Sequence, residues 1–138
     1  MIALTDEMAD LVNNALANGC PCVLATVSAD GEPDIGFKGS MMVFDKESLA
    51  YWERTRRQHL KNVSENAKVI VLFRDTKTRV NFRFHGTATV HEQGPMRDQV
   101  MARVVKDELD KDPDRKGAAV IIKVDRVTNL GGQVLQTR

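Results

Sequence analysis

The sequence predicts a mainly β fold: a small antiparallel barrel of meander or Greek-key type, carrying two or three short helices. Three observations predict it. Residues 79–90 alternate, with Val80, Phe82, Phe84, Gly86, Ala88 and Val90 set against Arg79, Asn81, Arg83, His85, Thr87 and Thr89, the period of a half-buried strand. Several further apolar runs are separated by compact turn signals at Asp30-Gly31, residues 45–48 and residues 75–78. No regular exchange of strand and long helix announces a parallel sheet.

The elements follow in order. Leu4, Met8, Leu11, Val12, Ala15 and Leu16 recur at helical spacing, with Thr5 as N-cap, Asp6 and Glu7 in the first turn and Gly19 beyond the end. From Cys22 the pattern becomes extended, predicting strands over 23–28 and about 34–44 around the Asp30-Gly31 turn, and a third over 49–53. Residues 54–66 are polar and helix-compatible, and 68–74 form a β-branched run that reads as a buried strand. After the alternating strand, Gly94-Pro95 opens a helix whose stripe is Met96, Val100, Met101, Val104, Val105 and Leu109, ending near Pro113. A last strand runs over 118–127, and the Gly131-Gly132 tail reads as flexible, giving six strands in all.

The chain has 138 residues, with 20 Lys and Arg against 19 Asp and Glu, a length that suits one domain and a balance that removes the electrostatic case for nucleic acid. Apolar runs such as residues 69–73 and 118–122 fall far short of the ~20 residues needed to cross a bilayer. The acidic start at Asp6 and Glu7 lacks the cations and apolar stretch of an export signal, so a cytoplasmic protein with no membrane partner is expected. Cys20 and Cys22 are one residue too close for a C-x-x-C motif and read as reduced thiols. His59, His85 and His91 lack the spacing of a metal set, so no metal site is expected.

The densest functional signal is residues 53–61, where Arg54, Arg56, Arg57 and Lys61 stand against Glu53 at the start of a presumed helix. Guanidinium forks and unpaired helix amides both suit a phosphate monoester, while the same pattern also describes a solvated basic face. Asn81, Arg83 and His85 project from one face of their strand, within reach of one ligand. Gly39-Ser40 lies on the second strand, where a missing side chain lets a flat ligand approach the backbone or simply allows a bend. Dinucleotide, P-loop and serine-hydrolase motifs are absent.

Taken together, the helix, then residues 23–33 reading LATVSADGEP from Leu24, then Gly39-Ser40-Met41-Met42-Val43-Phe44, then Leu49-Ala50-Tyr51-Trp52 with its basic segment, then the strand centred on Gly86, resemble the pyridoxamine 5′-phosphate oxidase-like FMN-binding split barrels. The resemblance covers nearly the whole chain. It implies a six-stranded split barrel, a homodimer, and FMN in each of two grooves between subunits. By position, Phe37, Lys38, Gly39, Ser40, Met41 and Met42 match the strand lining the flavin, and Trp52 and Glu53 match a second flavin-contacting strand. Arg57, Gln58 and His59 fall where the family writes a Ser-Arg-Lys sequence for the phosphate, with Lys61 just after, and Asn81 falls where a Gln touches the ring. The Arg-Leu-Ala-Pro stretch of true pyridoxamine 5′-phosphate oxidases has no counterpart in the ending Gly131-Gly132-Gln133-Val134-Leu135-Gln136-Thr137-Arg138. The resemblance therefore implies a flavin-dependent oxidoreductase for another small molecule, or, with the same fold, a protein binding a deazaflavin or haem, or a flavin-binding sensor. Met41, Met42, Tyr51 and Trp52 are the expected partner-facing apolar residues.

Overall fold

A computed structural model describes residues 1–138, and its order of elements is α1 (Asp6–Asn13), β1 (Cys22–Val27), β2 (Pro33–Lys38), β3 (Met42–Asp45), β4 (Ser48–Glu53), α2 (Gln58–Glu65), β5 (Lys68–Arg74), β6 (Asn81–His91), α3 (Pro95–Arg103), α4 (Lys106–Leu109), β7 (Ala118–Thr128) and β8 (Val134–Thr137). The strands form one antiparallel sheet in the order β2-β1-β5-β6-β7-β4-β3, with β8 added to β7. The two ends of that path, β2 and β3, are joined in sequence by only residues 39–41, and Met41 N–H donates to the Lys38 carbonyl at 3.2 Å. So short a link brings the edges to one corner and curls the sheet into a barrel.

The alternation of β6 places Phe82, Phe84 and Ala88 in the barrel interior with Leu24, Val71, Tyr51 and Ile122. β4 is buried at all six positions because both of its faces are covered. Leu49 and Tyr51 point into the barrel, while Ala50 and Trp52 pack beneath α3 with Val100, Val104 and Ala119. Thr5 caps α1 by accepting from Met8 N–H at 3.1 Å, as the sequence predicts.

Four expectations are corrected. There are eight strands, because the segment over 34–44 breaks at Gly39–Ser40 into β2 and β3, and the glycine-rich tail turns through Gly132 (φ 88°) to pair as β8. The helix over 94–113 breaks at Val104 and Val105, both extended (ψ 136° and 138°), with Val104 drawn into the cluster under α3. The helix over 54–66 starts only at Gln58. Met41, Met42, Tyr51 and Trp52 are 0–5% exposed and buried within the chain. The most exposed apolar side chains on the sheet are instead Ile35 (68%) and Phe37 (72%) of the edge strand β2, followed by Val134 and Leu135 of β8.

Candidate functional site

The corner where the barrel edges meet is also where β4 ends and α2 begins. Ser40 ties these parts together: its hydroxyl accepts from Trp52 N–H at 2.9 Å and donates to the Trp52 carbonyl at 3.2 Å. Around this joint lies a hollow of about 280 Å³, lined by Asp34, Phe37, Lys38, Gly39 and Ser40 from β2 and the corner, Trp52 to Thr55 in part, Arg57 to His59, and Glu108 from α4. The Trp52 indole N–H donates to Asp112 Oδ2 at 2.9 Å, and the Arg97 guanidinium lies 4.8 Å from its ring. Asp112 also accepts from Lys116 and Gly117 N–H, and these bonds hold its carboxyl below the usual range against the opposing effect of burial.

Two of the four cations in the basic segment after Trp52, Arg54 and Arg56, are paired with carboxylates, as is Lys38 of β2. Lys38 Nζ pairs with Glu53 at 2.9 Å, and Glu53 is wholly buried beneath it. Arg54 Nε meets Glu108 at 3.4 Å, and Arg56 makes a forked pair with Glu92 at 2.7 Å for each arm. Arg57 alone among the lysines and arginines of the hollow has no carboxylate partner. It occupies the N-cap of α2, a helix with no side-chain cap and no acid in its first turn, so the unpaired amides of that turn open beside a free guanidinium.

His59 forms the wall between β2 and α2. Gln58 Nε2 donates to Asn62 Oδ1 (2.7 Å), Asn62 Nδ2 donates to Thr26 Oγ1 (3.0 Å), and the Thr26 hydroxyl lies 2.7 Å from His59 Nδ1. The Thr26 hydroxyl keeps a lone pair and its own hydrogen after accepting from Asn62, so it pairs with His59 Nδ1 in either ring tautomer, and the ring turns its Nε2 edge the other way. That edge packs against Gly36, where a Cβ would stand only 3.0 Å from Nε2. Burial first, then the neighbouring Lys38 charge, pushes His59 below its usual pKa and keeps it neutral.

Of the candidate residues, Phe37, Lys38, Gly39, Ser40, Trp52, Arg57, Gln58 and His59 come together around the hollow. Met41 and Met42 lie in the two cores, Glu53 sits behind Lys38, and Lys61 is exposed further along α2. Asn81 accepts from Leu130 N–H at 2.7 Å and donates to the Arg79 carbonyl at 2.8 Å, away from the lining. Asp34, Arg54, Thr55 and Glu108 complete the wall. Glu108 carries no sequence signal, because it reaches the site from 54 residues beyond Arg54. A separate hollow of about 620 Å³ lies on the outer sheet face over Ala25, Val27, Ile70, His85 and Arg126. There Arg126 donates to His85 Nδ1 at 3.2 Å, which fixes the hydrogen of a neutral ring on Nε2, 3.1 Å from Thr128 Oγ1.

The family described as pyridoxamine 5′-phosphate oxidase matches residues 4–131. Among solved structures, HupZ of Group A Streptococcus is 32% identical, with 96% of this chain and 98% of that one covered and a TM-score of 0.76. An FMN-binding protein of Syntrophomonas wolfei shares the fold at 17% identity, covering 94% and 87% of the two chains with a TM-score of 0.71. HutZ, the heme storage protein of Vibrio cholerae, does so at 15% identity over 94% and 96%, also at 0.71. A search of curated proteins gave no match.

Proposed function

This chain belongs to the pyridoxamine 5′-phosphate oxidase family, and from that premise we propose that it is an FMN-binding oxidoreductase, acting as a homodimer on a small molecule other than pyridoxamine 5′-phosphate. One observation carries the reading: the free Arg57 guanidinium stands at the uncapped start of α2, beside a hollow walled by an aromatic ring and a glycine corner. A phosphate monoester is the ligand group that uses both features, through charge-assisted bonds from Arg57 and from the first-turn amides. When bound, the flavin supplies the hydride chemistry.

The chain's own residues bind and orient. Ser40 holds the corner against Trp52, and the Thr26–His59 link fixes the α2 start against β1. The buried Glu53 keeps Lys38 at the hollow's floor, where its ammonium is 5.4 Å from the Tyr51 ring centroid. At about 280 Å³ the hollow falls just below the ~300–1,000 Å³ common for ligand pockets, which suits the phosphate end of a flavin with a second wall supplied from elsewhere. Phe37 belongs both to the hollow and to the exposed apolar edge formed with Ile35, so a second copy packed on that edge would provide the wall.

Haem is the less supported alternative. His59, the one histidine of the hollow, has Nδ1 hydrogen-bonded to Thr26 and its Nε2 edge set where a Cβ on Gly36 would stand only 3.0 Å away, so Nε2 would have to turn away from β2 to meet iron. The test is the absorbance spectrum of the isolated protein, followed by parallel titrations with FMN, a deazaflavin and haemin. Flavin bands and saturable FMN uptake are expected. Tight uptake of haemin or the deazaflavin with none of FMN would overturn the reading.

A further inference from the structure

We infer that Glu108 sets the ligand selectivity of the hollow: its carboxylate covers the glycine corner and holds Arg54, so that one guanidinium instead of two is offered to an anionic group until the carboxylate is displaced. The inference rests on the hollow being the phosphate pocket of the flavin. Three observations support it. A side chain on Gly39 would overlap the Glu108 carboxylate, so the bare backbone at the corner is covered by Glu108. The same carboxylate reaches Arg54 Nε at 3.4 Å and Lys111 Nζ at 3.9 Å, and it is only 14% exposed. The flanking segment is anchored independently of it, by Arg103 on the Val43 and Phe44 carbonyls and by Asp112 on the Trp52 indole.

The electrostatic consequence follows from the pairing. Lys38 is neutralised by Glu53 and Arg54 by Glu108, which leaves Arg57 as the uncompensated charge. A phosphate entering beside Arg54 must draw that guanidinium away from Glu108 before it can use it, and a ligand lacking the phosphate avoids that cost. Glu108 thus narrows the preference for a phosphorylated over an unphosphorylated ligand.

The test is calorimetric titration of the wild type, Glu108→Gln, Glu108→Ala, Arg54→Ala and the Arg54→Ala/Glu108→Gln double variant with FMN, riboflavin and inorganic pyrophosphate. Both Glu108 variants are expected to bind FMN on the order of twofold to fivefold tighter, the range of a partly exposed ion pair. Riboflavin affinity should stay unchanged, and the gain should vanish when Arg54 is also removed. Equal or weaker FMN binding by both Glu108 variants, or a gain that persists without Arg54, would overturn the inference. Pyrophosphate separates this inference from the flavin reading. If no protein takes up a flavin, tighter pyrophosphate binding on loss of Glu108 still supports the role of Glu108, and unchanged pyrophosphate binding refutes it.

Discussion

The proposed phosphate recognition rests on Arg57, since every other cation of the hollow answers to a carboxylate. Replacing it by Ala should weaken FMN by about 1.5–3 kcal/mol, one to two decades, with riboflavin much less affected. Fluorescence titrations with both flavins measure this, and equal losses would place Arg57 away from the phosphate. Lys38 is different in kind. Its pair Glu53 is completely buried, so Lys38→Met strands a carboxylate and should cost ~3 kcal/mol in denaturant unfolding, whereas adding Glu53→Gln should restore most of it. The histidines give a pH signature. Burial, then Arg126 and Arg83, lower the His85 pKa from 6.5, and burial with Lys38 lowers that of His59. The unfolded chain therefore binds protons that the folded chain refuses, so the histidine contribution makes stability fall as the pH drops below about 6.5 and levels off under their folded pKa values, before the carboxylates begin to titrate. Unfolding midpoints at descending pH should show that fall, and His85→Gln should reduce its size.

At the scale of elements, what sequence can show depends on how local the cause is. The alternation of β6 and the capped start of α1 are local, and both stand as expected. The break between α3 and α4 is not, because Val104 leaves the helix to fill a cluster formed with Met42, Trp52 and Ala119. Gly86 illustrates the middle case. Its place in the strand pattern is visible, but its reason is a bulge opposite β7, where a Cβ would lie 2.5 Å from Ile122 Cγ2 and 2.6 Å from the Lys123 carbonyl. Gly86→Ala should therefore cost ~2–3 kcal/mol through overpacking against backbone that cannot yield. Thermal unfolding checks it, and a loss within ~0.5 kcal/mol would mean the bulge relaxes freely.

For the whole molecule, the barrel was legible because its periodicities lie along the chain, while the chemistry of the corner was only half legible. Residues such as Gly39, Trp52 and Arg57 stand out in sequence. The pairing of the neighbouring cations does not: Glu53, Glu92 and Glu108 lie 15, 36 and 54 residues from Lys38, Arg56 and Arg54, so the excess of charge after Trp52 narrows to Arg57 and Lys61 only in three dimensions. The residues expected to face a partner are buried for a similar reason, as α3 covers Trp52 and leaves Ile35 and Phe37 as the open apolar pair on β2, the edge proposed above for a second copy. Ile35→Asp should convert a dimer to monomers in sedimentation velocity with the barrel still folded, and an unchanged sedimentation coefficient would exclude that edge as the interface.

The claim that a flavin phosphate is held at the uncapped start of α2 is tested most directly by a crystal structure of the protein with FMN. Phosphate oxygens within ~3 Å of the Arg57 guanidinium and the first-turn amides of α2 are predicted. FMN seated elsewhere, with Arg57 free in solvent, would contradict it.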